Sequence, residues 1–334
     1  MPHRKVERIL LDRLAGEDRQ ATTPEGNAML AEPGHYDYAP YSGRPRIVWP
    51  GGARIAVWLA PNIEHYELEP PNNPRKVPWP RPVPDVLNYA HRDYGNRVGF
   101  WRMADVMARH GVRGSVSLNV AVCDHYPEIV ERCCELGWEL FSHGTYNTRY
   151  FYDLSEDQQR AVIADSRETI LKYSGQSLDG WLTPAITNDE TTQHVLAEEG
   201  IKYTLDMVHD DQPMPVKVRN GRLISVPYSL EVNDVPLYQN RNTPVERYTA
   251  IVKAQFDQLY AEGAESGTVM CLPLHPFLSG QPQRISALDE ALAHIVAHDG
   301  VWLATGREIA AWYTGHYYDA FSQWLAAGTP GGRR

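Results

Sequence analysis

Apolar residues in this chain fall into short runs that alternate with longer stretches of helical spacing. Arg54 to Ala60 (RIAVWLA) is apolar at nearly every position, follows the turn Trp49-Pro50-Gly51-Gly52 and precedes Pro61, a pattern that predicts a buried strand. Strand-like runs recur at Ser115 to Val122, Trp138 to Ser142, Gly180 to Thr183, Lys202 to Leu205, Leu223 to Val226, Thr268 to Leu274 and Val301 to Ala304. Between them, Arg97 to His110 has helical spacing at Val98, Trp101, Val106 and Met107. Pro127 opens a helix that carries Ile129, Cys133 and Leu136 on one face and stops at Gly137. Ser155 with Gln158 reads as a capping box for a helix reaching Tyr173, and Asn188 caps another that ends at Gly200. Thr243-Pro244-Val245-Glu246 opens one more, which turns Ile251, Val252, Phe256 and Leu259 inward.

Such alternation predicts parallel strands joined by crossover helices, in one barrel rather than two domains. A polar arm rich in Pro and Gly occupies residues 1–50, the barrel 51–315, and a C-terminal helix and tail 316–334. A Pro-rich loop runs from Glu69 to Pro84. In parallel barrels chemistry gathers where strands end. Four strand ends carry polar clusters: Asn62-Ile63-Glu64-His65, Ser142-His143-Gly144-Thr145-Tyr146-Asn147, Trp181-Leu182-Thr183-Pro184 and Leu274-His275-Pro276. Taken singly, Glu64 suits a solvated loop and His143 or His275 a satisfied strand end. Converging at one mouth, they offer amide hydrolysis a base for water, an acid for the leaving nitrogen and donors for the oxyanion.

Composition narrows the partners. A net charge of -10 and the absence of a basic stripe interleaved with aromatics exclude nucleic acid. No stretch approaches the roughly 18 apolar residues of a membrane helix. Met1 to Gln20 has no apolar run longer than Ile9-Leu10-Leu11, so no membrane partner and a cytoplasmic location are expected. The four cysteines, two of them the adjacent pair Cys133 and Cys134, are expected to be free thiols.

The ordered motifs, a strand-end acid, then S-H-G, G-W-x-T, and L-H followed by G-x-P, resemble those of NodB-homology polysaccharide deacetylases from about Trp49 to Thr314. Tyr94 to Arg102 (YGNRVGFWR), Val226 to Leu230 with Asn233-Asp234, and Leu274-His275 with Gly280-Gln281-Pro282 are similar to the metal-independent allantoinase and cyclic imide hydrolase branch. The resemblance implies an α/β fold, a distorted (β/α) barrel of seven or eight parallel strands. It implies hydrolysis of a C-N bond in a cyclic ureide or imide. Glu64 would be general base and His275 general acid, while His143 would position water or the substrate carbonyl and backbone N-H groups after Pro184 would form an oxyanion hole. Asn62, His65, Asn147, Trp181, Pro184, Arg97, Asn233 and Asp234 are expected to line the substrate, with Arg149 on the surface.

Three departures bear on metal. His65 stands where the deacetylases carry a second acid, Asn147 replaces the second histidine of H-x-x-x-H, and Leu182 replaces the third motif's arginine. A shell of His65, His143 and Asn147 would be neutral with one weak amide ligand, so no cofactor is expected to be required. The alternatives are a deacetylase of N-acetylated sugars dependent on zinc or another divalent metal, and a non-catalytic ligand-binding barrel. Expected partners are a small-molecule substrate and further copies of the chain, since similar allantoinases are homo-oligomers.

Overall fold

The computed structural model describes residues 34–70, 83–152 and 154–327. Met1 to Gln20 and most of the Glu69 to Pro84 loop lie outside them. Among the described residues nine strands form one sheet: β1 (Ile55–Ile63), β2 (Ser115–Leu118), β3 (Glu139–Ser142), β4 (Gly180–Trp181), β5 (Tyr203–Thr204), β6 (Met214–Val216), β7 (Leu223–Ser225), β8 (Thr268–Leu274) and β9 (Val301–Leu303). Their order is β6-β7-β5-β4-β3-β2-β1-β8, with β9 on β1, and every pairing is parallel except β6 with β7. The sheet therefore curls into a half-barrel that stays open between β8 and the β6–β7 edge. β1 is its hub. It pairs with β8 from Ile55 to Pro61 on one side, and shares the other between β9 at Ile55–Val57 and β2 at Asn62–Ile63.

Helices cover the sheet: α1 (Val86–Tyr94), α2 (Phe100–Arg109), α3 (Ala121–His125), α4 (Pro127–Glu135), α5 (Glu156–Ser174), α6 (Thr192–Glu198), α7 (Val245–Glu262), α8 (Pro276–Ser279), α9 (Ile285–Val296), α10 (Gly306–His316) and α11 (Tyr318–Ala326). No helix among the described residues is long and apolar enough to cross a membrane. Strand parity sorts the core into two layers. Ile55, Val57, Leu59 and Ile63 pack under the helices, whereas Ala56, Trp58 and Ala60 fill the barrel interior. Both faces being buried, the strand reads as an unbroken apolar run.

Several boundaries differ from the sequence reading. β1 continues through Pro61, which costs only one ladder donor. The run after Ser115 breaks at Asn119 and becomes α3. A π-turn at Gly95–Gly99 precedes α2, and Phe100, Met103, Ala104, Val106 and Met107 face inward while Val98 and Trp101 stay exposed. Asp189, not Asn188, caps α6, its carboxylate accepting from the Thr191 and Thr192 amides. No side chain caps α7, which begins after Pro244. The Ser155 capping box and the stop after α4 are present as expected. The arm's last residues belong to the core: Ile47 and Trp49 are buried, and the Trp49 indole donates to Thr268 O at 2.8 Å. The four cysteines are free thiols.

Candidate active site

The same parity that fills the barrel carries polar groups to its mouth. On β1 the interior positions 56, 58 and 60 continue to Asn62 and Glu64; on β3 Phe141 leads to His143; on β8 Val269 and Cys271 lead to His275. The strands end in register, so Glu64, His143 and His275 converge. Glu64 Oε1 lies 3.6 Å from His143 Nε2 and 3.5 Å from His275 Nε2, and all three residues are buried. These separations are charge contacts, slightly longer than good hydrogen bonds, as catalytic pairs often are before substrate binds.

Each imidazole is oriented by its other nitrogen. His143 Nδ1 is 2.8 Å from the carbonyl of Leu182 and must donate to it, which leaves Nε2 as the nitrogen that faces Glu64. His275 Nδ1 is 2.6 Å from Asp234 Oδ1, while Asp234 Oδ2 accepts from the His275 amide at 2.7 Å and the Ser279 hydroxyl at 2.6 Å. Burial alone would push the His275 imidazole down. The Asp234 and Glu64 charges outweigh it and raise the pKa to about 9. For Glu64, burial pushes upward, but the His275 charge and the His143 and His275 contacts hold the carboxyl well below its ordinary range. The resting centre is therefore a carboxylate beside an imidazolium, with a proton acceptor and a proton donor both ready at neutral pH.

Glu64 Oε2 accepts from Tyr66 at 3.0 Å, and the Tyr66 oxygen in turn accepts from Asn147 Nδ2. Asn147 is buried, and its Oδ1 has no partner. Asn119 ties two strand ends together, accepting from the His65 amide at 3.0 Å and donating to the His143 carbonyl. Asn96 donates to the Glu64 carbonyl at 2.9 Å. Gly144, at φ +68°, leaves room for Pro184; a Cβ there would meet Pro184 Cγ at 2.7 Å. Beyond Pro184, Ala185 and Ile186 hold left-handed φ of 52° and 53°, a strained geometry for non-glycine residues. The Ile186 amide is spent on Thr183 O at 2.8 Å and the Thr187 amide on Pro184 O at 3.2 Å, which leaves Ala185 N-H as the candidate oxyanion donor. Asp206, buried, grips Thr183 through its amide and hydroxyl at 2.7 Å each.

Several residues expected to line the substrate are placed otherwise. Trp181 lies on the opposite face of β4 from Leu182, fully buried under the helices with its indole on Thr183, because parity turns it away from the barrel. Arg97 points to solvent beside Asp93. Asp234 is completely buried behind His275, and Asn233 bonds the Val235 amide to shape that turn. Asn62 stays at the mouth, bonded to Ala60 O and Tyr228. His65 stacks on His125 with ring centroids 4.0 Å apart among Tyr89, Tyr126 and Tyr146. Burial, then His125, lowers its pKa to about 4. Arg149 pairs with Glu67 at the surface. Tyr66, Asn96, Asn119, Asp206 and Ser279 were not singled out from the sequence; only Asn96 sits inside a motif that drew notice. A cavity of about 520 Å³ opens at the barrel seam around Tyr228 and Cys271, but Glu64, His143 and His275 do not line it.

The donor set does not fit a zinc-type centre. Among the described residues His65 and His143 belong to no group of three imidazole, thiolate or carboxylate ligand atoms within common reach of an ion, and Asn147 could add only an amide oxygen.

A mostly parallel half-barrel holds a carboxylate between two imidazoles at its mouth, an arrangement able to activate water and protonate a leaving group. Residues 89–204 match the family model for polysaccharide deacetylase. A Schizosaccharomyces pombe protein provisionally assigned as a polysaccharide deacetylase is 29% identical over 306 residues, covering 81% of this chain and 94% of its own. A Pseudomonas aeruginosa PAO1 structure with the same provisional assignment superposes with a TM-score of 0.73 at 26% identity, covering 82% of this chain and 95% of its own. The PuuE allantoinase structure has the same fold, with a TM-score of 0.73 at 23% identity over 84% of this chain and 99% of its own. Over residues 89–204 the chain is similar to polysaccharide deacetylases of the NodB type, C-N bond hydrolases in which metal dependence is typical.

Proposed function

We propose that this hydrolase opens a cyclic ureide or imide by water attack on a ring carbonyl, without a metal. The observation that carries the reading is the chain Glu64–His275–Asp234, in which both proton-transfer groups are already charged for their tasks. Glu64 takes the proton of the attacking water, and His143 Nε2, its ring held by the Nδ1 bond to Leu182 O, orients that water or the carbonyl. Ala185 N-H stabilises the oxyanion. His275, protonated through Asp234, delivers its proton to the departing ring nitrogen as the C-N bond breaks, and the proton gathered on Glu64 passes back to His275 Nε2, 3.5 Å away, to restore the resting pair. The unpartnered Asn147 Oδ1 supports a ring substrate, since a buried acceptor is costly until an N-H donor reaches it. A strained ring with a good leaving group also needs less Lewis-acid help than an acetamide.

The test is a panel of allantoin, hydantoin, succinimide and an acetylated chitin oligomer, with Glu64→Gln as the blank. Ring opening should exceed acetate release, and the variant should fold normally while losing roughly two to four decades of rate. Acetate release with no ring opening anywhere in the panel would sink the substrate reading, and near wild-type turnover in the variant would remove Glu64 from the mechanism.

A further inference from the structure

We propose a second site, on the outer helical layer and separate from the Glu64 centre: a surface site for a first-row divalent cation of the zinc type, built from Asp257, His294 and His298. Among the described residues this is the one group in which three carboxylate, imidazole or thiolate ligand atoms lie within 4.8 Å of one another. Asp257 stands on α7, His294 on α9 and His298 just past the C-terminal end of α9, so an ion held by all three would staple two helices that pack against each other. The His294 to His298 spacing sets two imidazoles on one side of the chain, the arrangement in which a helix turn offers bidentate nitrogen ligation.

The rings are already oriented. His298 Nδ1 donates to the His294 carbonyl at 2.8 Å, which leaves Nε2 as its ligating nitrogen and supplies the outer hydrogen bond that metal-binding histidines usually have. His294 Nε2 meets Asp257 Oδ1 at 2.7 Å; a carboxylate only accepts, so this nitrogen carries the proton in the metal-free protein. Phe256 packs edge-on against both rings, with centroids 5.7 and 5.0 Å away, and Tyr260 abuts His298 at 5.2 Å. Metal binding exchanges the N-H···O bond for two metal bonds, the ring proton of His294 moving from Nε2 to Nδ1 so that a neutral imidazole ligates. Two imidazoles and one carboxylate select zinc, nickel or copper over magnesium or calcium, and solvent fills the remaining positions. The two helices being already packed, the ion adds stability without building the fold.

Chelator-treated full-length protein should take up one equivalent of Zn²⁺ by calorimetric titration, with a rise in melting temperature, while Mg²⁺ does neither. His298→Gln and Asp257→Asn, both surface changes checked for wild-type circular dichroism, should each weaken Zn²⁺ binding by at least about tenfold and abolish the thermal shift. Ring-opening or deacetylase turnover should be unaffected in both. His143→Ala should keep the full Zn²⁺ equivalent. Unchanged binding in the two surface variants, no uptake by the wild type, or loss of the equivalent in His143→Ala would each overturn the site.

Discussion

Asp234 controls when His275 can act as an acid. Its carboxylate meets His275 Nδ1 at 2.6 Å from a fully buried position, and with Glu64 it overcomes the burial that would otherwise deprotonate the imidazole. The protonated form is the working one, so kcat/KM should hold through neutral pH and fall as pH rises through about 9. No acid-side loss from Glu64 is expected near neutrality, because its carboxyl is held well below the ordinary range. Removing the Asp234 charge withdraws support from the imidazolium, so the alkaline limb of Asp234→Asn should move to lower pH by about one to three pH units. A pH-rate profile that loses height in this variant without shifting its limb would mean that Asp234 only positions the ring. Nothing near Asp234 in the sequence announces this pairing, since its partner lies 41 residues away; read as a polar pair after a turn, Asn233-Asp234 looks like a substrate grip.

At the level of elements, the segment Tyr94 to Arg102 explains itself as packing. A Cβ at Gly95 would meet Phe277 N at 2.7 Å, one at Gly99 would meet Pro276 O at 2.0 Å, and one at Gly280 would meet Gly99 Cα at 2.5 Å. The π-turn and α8 thus lie backbone to backbone, fixing the residue after His275. Gly99→Ala gains about 1 kcal/mol of helix propensity. The clash is with backbone, which cannot swing aside, and overpacking of this kind costs about 1–3 kcal/mol. The clash is expected to win, lowering the melting temperature and displacing His275 enough to cut turnover. Gly315→Ala, with nothing within 4 Å on α10, should stabilise slightly in the same measurement. A Gly99→Ala enzyme with wild-type melting and turnover would refute the account. The short unbroken apolar runs made most strands legible, and the polar clusters at their ends pointed to the convergence of Glu64, His143 and His275. What stayed hidden was β6, three residues including Pro215 with no alternation to read, and the tertiary bonds of Tyr66, Asn119 and Asp206. Trp181 was misplaced because burial on either face of a strand looks the same in a short apolar run.

The whole molecule bears on metal through charge. Glu64 is one buried carboxylate flanked by imidazole nitrogens at 3.6 and 3.5 Å, and the Asp234-backed His275 is a cation at neutral pH. A divalent ion bound at the Glu64 end would set a second positive charge a few ångströms from the first, in surroundings where repulsion is screened far less than in water. It would have to expel the His275 proton, the one the leaving nitrogen needs. With a neutral donor set of His65, His143 and Asn147, the ion would bring little ligand charge of its own to offset this. Metal and general acid are therefore competitors here. Activity should survive prolonged chelation and dialysis, and added Zn²⁺ should raise the melting temperature through Asp257, His294 and His298 without raising turnover. The decisive preparation is His298→Gln, in which that surface site is disabled: metal content should fall toward zero while turnover stays at the wild-type rate. Stoichiometric zinc remaining in this variant, with activity that disappears on chelation and returns with the ion, would place the metal at His65 and His143 and defeat the metal-free mechanism.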